Sequence, residues 1–388
     1  MEPQRYRVEV GPVAHGGHCV ARVDGRAVFV RHALPGERVV IEVTEGEPDD
    51  RFWRADAVEV LEASPDRVAA PCPLAHPDGC GGCDFQHVAL PAQRQLKATV
   101  VAEQLRRLAG IERDVDVEAV APTLRWRTRM QYVGLPGGRH GLRKHRSHEV
   151  VEVADCLIAA PDARVSTAAE DGARRPSRSH RAAGVVVESV LGRDFKVAAD
   201  GFWQVHPEAP RVLVETVLAM LAPRSGERAL DLYAGVGLFS AFLAEAVGRD
   251  GGVVSVEGGR RASELAGENL ADLPQATVRP GRVDRVLARD FGSPRSLPEG
   301  GVDVVVLDPP REGAKRRVVE AIARLAPRAV AYVACDPAAL ARDVAYFRDC
   351  GYQLVDLRAF DLFPMTSHVE CVALLEKTAS EVRWSKLR

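Results

Sequence analysis

Several signals that would settle a protein's class are missing from this chain. No run of apolar residues approaches the length needed to cross a bilayer, and the N-terminal MEPQRYRVEV has no hydrophobic core of the secretory kind. Neither a membrane protein nor an exported one is expected, and the chain reads as cytoplasmic. Charge of one sign is also missing: 52 Lys and Arg stand against 54 Asp and Glu, a formal net charge of -2. That balance excludes a globally basic nucleic-acid binder and leaves any such surface to local clustering. There is no internal repeat and no long low-complexity tract. Nor do the 8 cysteines read as a disulfide framework in a reducing compartment, so clustered ones are weighed as ligands and isolated ones as packing or catalysis.

What is present is the balance of an ordinary globular chain: 388 residues, 46% hydrophobic and 27% charged, long enough for two or three compact units. Residues 1–62 alternate apolar and polar positions in short runs, YRVEV, RAVFVRHA and RVVIEV. The turns HGGH, DGR and LPGE break them, which predicts a small β-barrel. Residues 63–198 read as a small central α+β domain. It opens with PCPLAHPDGCGGC at 71–83, too rich in Pro, Gly and Cys for regular structure, so a bound metal centre is the candidate for holding it. LPAQRQLKATVVAEQLRRLAG has apolar residues at helical spacing over about 91–110, a helix able to pack on the following domain. Strand-like alternation then resumes around the insert AAEDGARRPSRSHRAAG, which reads as a mobile loop. From 199 to 388 strand-like and helix-like segments alternate: RALDLY, a helix from Leu238, GGVVSVEG, a helix from Arg260, VDVVVLDPP, a helix over 315–325, RAVAYVACD, a helix from Pro337 and two terminal strands. That rhythm predicts a doubly wound, Rossmann-like α/β sheet.

Ligands of such sheets bind at the carboxyl ends of the strands. DLYAGVGLFS at 231–240 follows a short strand and opens a helix, so Gly235 and Gly237 permit a tight turn and close approach of a ligand. By itself such a turn speaks as often of fold as of function. The next strand, VVSVE, ends in Glu257, whose carboxylate is placed to accept from both ribose hydroxyls of an adenosine ligand; a solvated strand-end acid is the plain alternative. Asp308 closes the strand VDVVVL before the stiff exit Pro309, Pro310, Arg311, with simple capping as its alternative. Cys335 ends AYVACDP on the same rim, and the helix that Pro337 starts is expected to favour its thiolate through oriented backbone dipoles. Glu370, in FPMTSHVECV, is a candidate base or an exposed acid, and Cys371 beside it is expected to face inward.

Cys72, Cys80 and Cys83 are closely spaced, and Cys156 lies across the following β segment. Spacing alone allows structural zinc or an iron–sulfur cluster equally. Residues 121–148 carry seven Lys or Arg and no acid, with Trp126 and Tyr132 among them. Because they adjoin the cysteines, they are expected to grip phosphates and stack a base rather than form a solvated face.

Taken in order, GFWQVHP at 201–207, DLYAGVG, SVEG, LDPPREGA, YVACDPAALARD and FPMTSHVE resemble the signatures of the RNA uracil-5-methyltransferase family. HGGHCVARVDGRAVFVRHALPGE resembles its TRAM domain, a small RNA-binding barrel, so nearly the whole chain is covered except the Arg-rich insert. The resemblance implies a class I methyltransferase domain that transfers a methyl group from S-adenosylmethionine to carbon 5 of a uridine in structured RNA. It implies that Gln204, Tyr233, Glu257 and Asp308 contact the methyl donor, with Gly235 and Gly237 in its turn, that Cys335 adds to carbon 6 of the ring, and that Glu370 removes the proton from carbon 5. It also implies a four-iron four-sulfur (4Fe-4S) cluster on Cys72, Cys80, Cys83 and Cys156, zinc being the alternative, with a structural or RNA-recognition role because methyl transfer needs no redox step. Three positions depart from the family's pattern: Asp336 where Asn usually follows the nucleophile, and Met365 and Ser367 where His and Tyr are common. By analogy large-subunit ribosomal RNA is the expected substrate, transfer RNA the alternative, and a monomer the default. A non-catalytic iron–sulfur RNA-binding protein is disfavoured by the joint presence of Cys335 and Glu370. A nicotinamide-dependent oxidoreductase is disfavoured by the DPP segment and by the lack of a full G-x-G-x-x-G turn. A cysteine suits the implied reaction: carbon 5 of uracil is too weak a nucleophile until a thiolate adds at carbon 6, and the target must leave its stack to expose both carbons.

Overall fold

The computed structural model describes residues 4–168, 184–291 and 301–378. The insert predicted as a mobile loop lies, apart from its two end residues, outside them. At the N-terminus β1 (Arg5–Glu9), β2 (Cys19–Val23), β3 (Arg26–Arg31), β4 (Arg38–Glu45) and β5 (Phe52–Glu62) form one sheet in the order β1-β4-β5-β3-β2. The sheet curls until its edge strands β1 and β2 meet. Alternating residues such as Ala21, Val28, Val30, Val39, Ile41 and Ala55 thereby close over a core of their own, the outcome that period-two patterning requires.

An irregular stretch leads to α1 (Leu90–Gln104), which carries Pro91 in its first turn, where the missing N–H costs nothing. A π-helical turn (Leu105–Ala109) extends it to Gly110, whose left-handed φ of 64° ends the helix. The short strand β6 (Val117–Ala119) follows. Then β7 (Arg127–Gly134), β8 (His140–Arg143), β9 (Val150–Glu152) and β10 (Ala159–Ala168) make a four-stranded sheet ordered β10-β7-β8-β9. β11 (Val185–Val190) and β12 (Arg193–Ala198) form an antiparallel hairpin.

The remaining elements are α2 (Ala209–Leu221), β13 (Arg228–Leu232), α3 (Leu238–Val247), β14 (Gly252–Glu257), α4 (Arg260–Asn269), β15 (Ala276–Pro280), α5 (Val283–Asp290), β16 (Val304–Leu307), α6 (Lys315–Leu325), β17 (Ala329–Ala334), α7 (Pro337–Asp349), β18 (Tyr352–Asp361) and β19 (Glu370–Lys377). Their strands build an eight-stranded sheet, β15-β14-β13-β16-β17-β19-β18-β6. Strands β15 to β17 run parallel, β19 turns antiparallel between β17 and β18, and β6 adds a parallel edge to β18. Every residue of VVVL in β16 and of AVAYVA in β17 is buried, as expected of central strands covered on both faces. One core, around Phe195, Leu213, Phe239 and Val306, fills one face; a second, around Leu230, Val305, Ile322, Tyr332 and Phe347, fills the other. The Rossmann-like domain preceded by a curled N-terminal sheet is the architecture the sequence predicts. Trp126, Ile158 and Met365 form a small core at the seam, with Cys83, Cys156 and Val205 packed around it. It ties the cysteine region to the C-terminal α/β domain. Among the described residues no helix is long and apolar enough to cross a membrane.

Candidate active site

The parallel strands β13, β16 and β17 all end on one rim, and the loop after β13 turns there through three left-handed residues: Tyr233, Gly235 and Gly237, at φ 64°, 57° and 90°. A Cβ built on Gly235 meets no atom within 4 Å, so that glycine faces open space, whereas one on Gly237 lies 3.2 Å from Leu270 Cδ1. Gly237 is thus spent on helix packing, and Gly235 leaves its backbone accessible to a ligand. Glu257, at the end of β14, accepts the Gly235 N–H at 2.9 Å on Oε2 and the Gly259 N–H on Oε1. Each carboxylate oxygen retains a lone pair for an outside donor. Beneath the loop, Asp231 accepts from the Ser240 hydroxyl at 2.6 Å. Its other oxygen is buried without a partner, and burial pushes its carboxyl up to about 7. Sequence reasoning passed over Asp231, although it opens the DLYAGVG motif.

Asp308, directly after β16, is half-buried and its side chain makes no hydrogen bond among the described residues. Burial, then the neighbouring Asp231, pushes its carboxyl above the usual carboxylate range. Tyr233 is half-buried, its hydroxyl pushed up to about 12 by burial and then by Asp284 and Asp343. Gln204 lies half-buried in the loop before α2. Thr128 pins that loop, its N–H (2.9 Å) and hydroxyl (3.0 Å) both donating to the Val205 carbonyl. The fully buried His206 adds a contact 3.1 Å from the Pro122 carbonyl.

Cys335 is the first residue after β17. Because β17 and β19 pair with Ala334 opposite Cys371, Glu370 falls beside Cys335. Glu370 is only 3% exposed, so it is no solvent-facing acid, and Cys371 is buried as expected. Burial, followed by the Glu370 charge, pushes Cys335 up to about 12; Arg311 opposes the shift, while Asp308 and Asp336 add to it. At the start of α7 Asp336 is the N-cap and accepts the Ala339 N–H at 2.8 Å, which sets a carboxylate beside the thiol at that terminus. Glu370 is held well above the ordinary carboxylate range by burial and then by Asp308, again opposed by Arg311. Arg311 also sits 3.3 Å from Nε2 of His368, an imidazole pushed down to about 4 by burial and then by that guanidinium. Arg311 and His368 were missed as candidates, although both lie inside the LDPPREGA and FPMTSHVE motifs.

Two of the unusual residues dock the loop that precedes β19. Met365 donates its N–H to Gln93 Oε1 at 2.9 Å and accepts at its carbonyl from the N–H groups of Asp84 and Phe85, at 3.0 and 2.9 Å. The Ser367 N–H donates to Asp84 Oδ2 at 2.9 Å.

Cys72, Cys80, Cys83 and Cys156 line one cavity of about 210 Å³, together with Met130, Leu142 and Ile158. The Gly82 N–H points at Cys80 Sγ (3.3 Å) and the Gln86 amide at Cys83 Sγ (3.4 Å), donors that suit sulfur in its anionic form. Burial pushes the Cys83 thiol up to about 12 and raises Cys80 as well. Among the described residues no group of three His, Cys, Asp or Glu is arranged to hold a metal ion. The basic stretch also differs from expectation. Trp126 and Tyr132 are 1% and 6% exposed. Their rings pack on His206 and His140, so neither can stack a base. Four of the cations are paired, Arg125 with Asp155, Arg139 with Glu152, Lys144 with Glu149 and Arg146 with Glu45.

Residues 1–58 match the TRAM domain, and residues 296–378 match the family described as tRNA (Uracil-5-)-methyltransferase. An uncharacterized RNA methyltransferase of Streptomyces avermitilis is 47% identical over 97% of this chain and 99% of its own length. Another, from Bifidobacterium longum, is 38% identical over 95% of this chain and 96% of its own. The chain belongs to the RNA uracil-5-methyltransferase family. It is therefore an enzyme that uses S-adenosylmethionine and acts on RNA. The fold agrees: a crystal structure of the Pyrococcus abyssi tRNA (uracil-54, C5)-methyltransferase, in complex with S-adenosyl-L-homocysteine, covers 95% of this chain and 100% of its own with a TM-score of 0.69 at 21% identity.

Proposed function

We propose that this protein methylates carbon 5 of a uridine in structured RNA, with Cys335 as nucleophile and Glu370 as base. The observation that carries this reading is the placement of the two side chains next to each other on the rim that also holds the Gly235 turn. The methyl donor fits that rim. Gly235 leaves open space, Glu257 keeps acceptor capacity and Asp308 has a carboxyl without a partner among the described residues; Gln204 and Tyr233 complete the set that would hold it, while Gly237 lets the turn pack against Leu270. When bound, S-adenosylmethionine supplies an electrophilic methyl group and a positive sulfonium charge. The Cys335 thiolate forms a bond to carbon 6, and the pair of electrons from the carbon 5–carbon 6 double bond passes to carbon 5 and its carbonyl. Carbon 5 uses that pair to take the methyl group, and the pair of the broken carbon–sulfur bond stays on the donor's sulfur, which leaves as a neutral thioether. Glu370 then removes the proton left on carbon 5, the double bond re-forms, and Cys335 departs as thiolate. Arg311 is the resident cation that favours the ionised forms of both Cys335 and Glu370.

Labelled methyl donor and RNA test this directly. Cys335→Ala abolishes transfer, and Glu370→Gln accumulates a covalent protein–RNA species visible under denaturing conditions. Full methylation by Cys335→Ala would overturn the reading.

A 4Fe-4S cluster on Cys72, Cys80, Cys83 and Cys156 is part of the proposal. Four sulfurs around one cavity, two of them met by N–H donors, support it. Bound there, a cluster would brace the seam that anchors the loop before Glu370 and take no part in methyl transfer. Protein purified without oxygen should carry about four irons per chain and lose them in Cys83→Ser; iron-free active protein would remove the proposal. Ribosomal RNA is the favoured substrate on the strength of the cysteine quartet, and transfer RNA is the reading that the family description favours. Mapping 5-methyluridine in both RNAs, from cells with and without this gene, separates them.

A further inference from the structure

The curled N-terminal sheet does not stand away from the catalytic rim. Its HGGH turn, closed by pairing of Val13 with Cys19, carries His15, and Nε2 of that ring lies 3.1 Å from Oδ2 of Asp336, the residue directly after Cys335. Gly17 of the same turn meets the loop before β19: a Cβ there would fall 2.5 Å from Ser367 Cβ. The turn is therefore wedged between the two segments that carry Cys335 and Glu370. Asp336 is engaged twice, by the N-terminus of α7 through Oδ1 and by His15 through Oδ2.

We propose that His15 is a positioning residue for methyl transfer: from the N-terminal domain it neutralises Asp336, so that the nucleophile beside it ionises, and the domain forms part of the catalytic site as well as a binding module. This rests on the reading of Cys335 as nucleophile. The groups facing Cys335 are Glu370 from β19, Asp308 and Arg311 from the segment after β16, and Asp336 from its own turn. Of these, Asp336 carries its charge in the resting enzyme: burial works against it, but His15 and the Ala339 N–H hold it below the ordinary carboxylate range. His15 is raised by its hydrogen bond to Asp336, against burial. The pair is 42% and 24% exposed, so it adds little to global stability and can be removed without unfolding the chain.

The experiment follows alkylation of Cys335 by iodoacetamide, read on its own peptide by mass spectrometry across neutral and alkaline pH, beside steady-state methylation of RNA. His15→Ala and His15→Gln should both slow alkylation near pH 7 roughly three- to tenfold, with the difference fading at alkaline pH where His15 itself loses its proton, and lower kcat with little change in KM for RNA. Adding Asp336→Asn to His15→Ala removes the uncompensated charge and should reverse both effects. An unchanged alkylation profile in His15→Ala with a raised KM for RNA would overturn the proposal and place His15 in RNA binding. So would wild-type behaviour of His15→Gln, or failure of Asp336→Asn to restore the rate. Alkylation needs neither RNA nor donor, so it reports on His15 even if Cys335→Ala were to keep methylating.

Discussion

Lys97 offers a measurement of how firmly the cysteine region grips the catalytic domain. It lies inside α1, yet its side chain is 0% exposed, and Nζ sits 2.5 Å from Asp361 Oδ1 and 3.1 Å from the Phe363 carbonyl. Asp361 ends β18 and is itself 2% exposed; the next residues form the loop that delivers Glu370. Burial pushes Lys97 below the usual lysine range while Asp361 resists the shift, the signature of an ion kept charged by one partner. Lys97→Met keeps the volume but strands a buried carboxylate. Removing one member of a buried pair costs about 3–5 kcal/mol, a large part of the roughly 5–15 kcal/mol that folded proteins possess. The double variant Lys97→Met with Asp361→Leu exchanges both ions for apolar groups and should recover most of that loss, since such replacements are often neutral. Urea unfolding followed by tryptophan fluorescence reads the stability, and methyl transfer below the unfolding range reads the loop. We expect Lys97→Met to lose both stability and kcat. A loss below about 1 kcal/mol would mean that water reaches the pair, and the account of α1 as an internal tie would fail.

Two further outcomes follow from the rim. Asp231 has a folded pKa of about 7, above its unfolded value, so the folded state binds this proton more tightly and stability is lost as pH rises from about 4 through about 7. Asp231→Asn should therefore gain up to about 4 kcal/mol relative to the parent above neutrality and little at pH about 4; a constant difference in thermal midpoint across that window would exclude the shift. Gly235→Ala and Gly237→Ala should part company. Both put an alanine at a left-handed φ, which costs about 1–2 kcal/mol; the first adds only a methyl group in open space and raises KM for the donor, and the second also presses on Leu270 and lowers the midpoint further. Equal effects on both quantities would contradict the different tasks assigned to the two glycines.

Much of the catalytic domain was legible because its signals are local. Helices begin at Leu238, Arg260, Lys315 and Pro337, where the change from continuous apolar runs to helical spacing places them. The positions of Tyr233, Asp308 and Cys335 at the strand ends were legible because each directly follows an apolar strand. What stayed hidden depends on partners far along the chain. The FPMTSHVE segment looks polar and exposed, yet β19 lies between β17 and β18 and buries Glu370 on arrival. Strand β6 is three residues long and finds its place only against β18, which follows it by more than 200 residues. The basic stretch looked unpaired because its carboxylates, Glu45, Glu149, Glu152 and Asp155, all lie outside it. Whether Trp126 faces water or core is a property of the seam, to which distant Met365 and Phe363 contribute, whereas Tyr132 is buried with Met130 and Ala159. At Cys335 the helix start was visible in the sequence, but the carboxylate that caps it, Asp336, was not weighed as a charge beside the thiol.

The same desolvation that hid these residues sets the order in which the site becomes reactive. At rest burial holds the proton on Cys335 and pushes Glu370 and Asp308 toward their neutral forms, and Arg311 opposes this at Cys335 and Glu370. A second positive charge on the rim shifts the balance toward the ionised forms. S-adenosylmethionine carries such a charge; S-adenosylhomocysteine has nearly the same shape without it. Alkylation of Cys335 should therefore run roughly tenfold faster with the sulfonium bound than with the thioether bound, one pKa unit being a factor of ten, at equal occupancy and in the absence of RNA. Because both molecules shield the thiol from the reagent alike, the ratio isolates charge from access. A ratio of one would show that the thiol does not sense the donor, and would leave Arg311, the His15–Asp336 pair and the RNA as the sources of its activation.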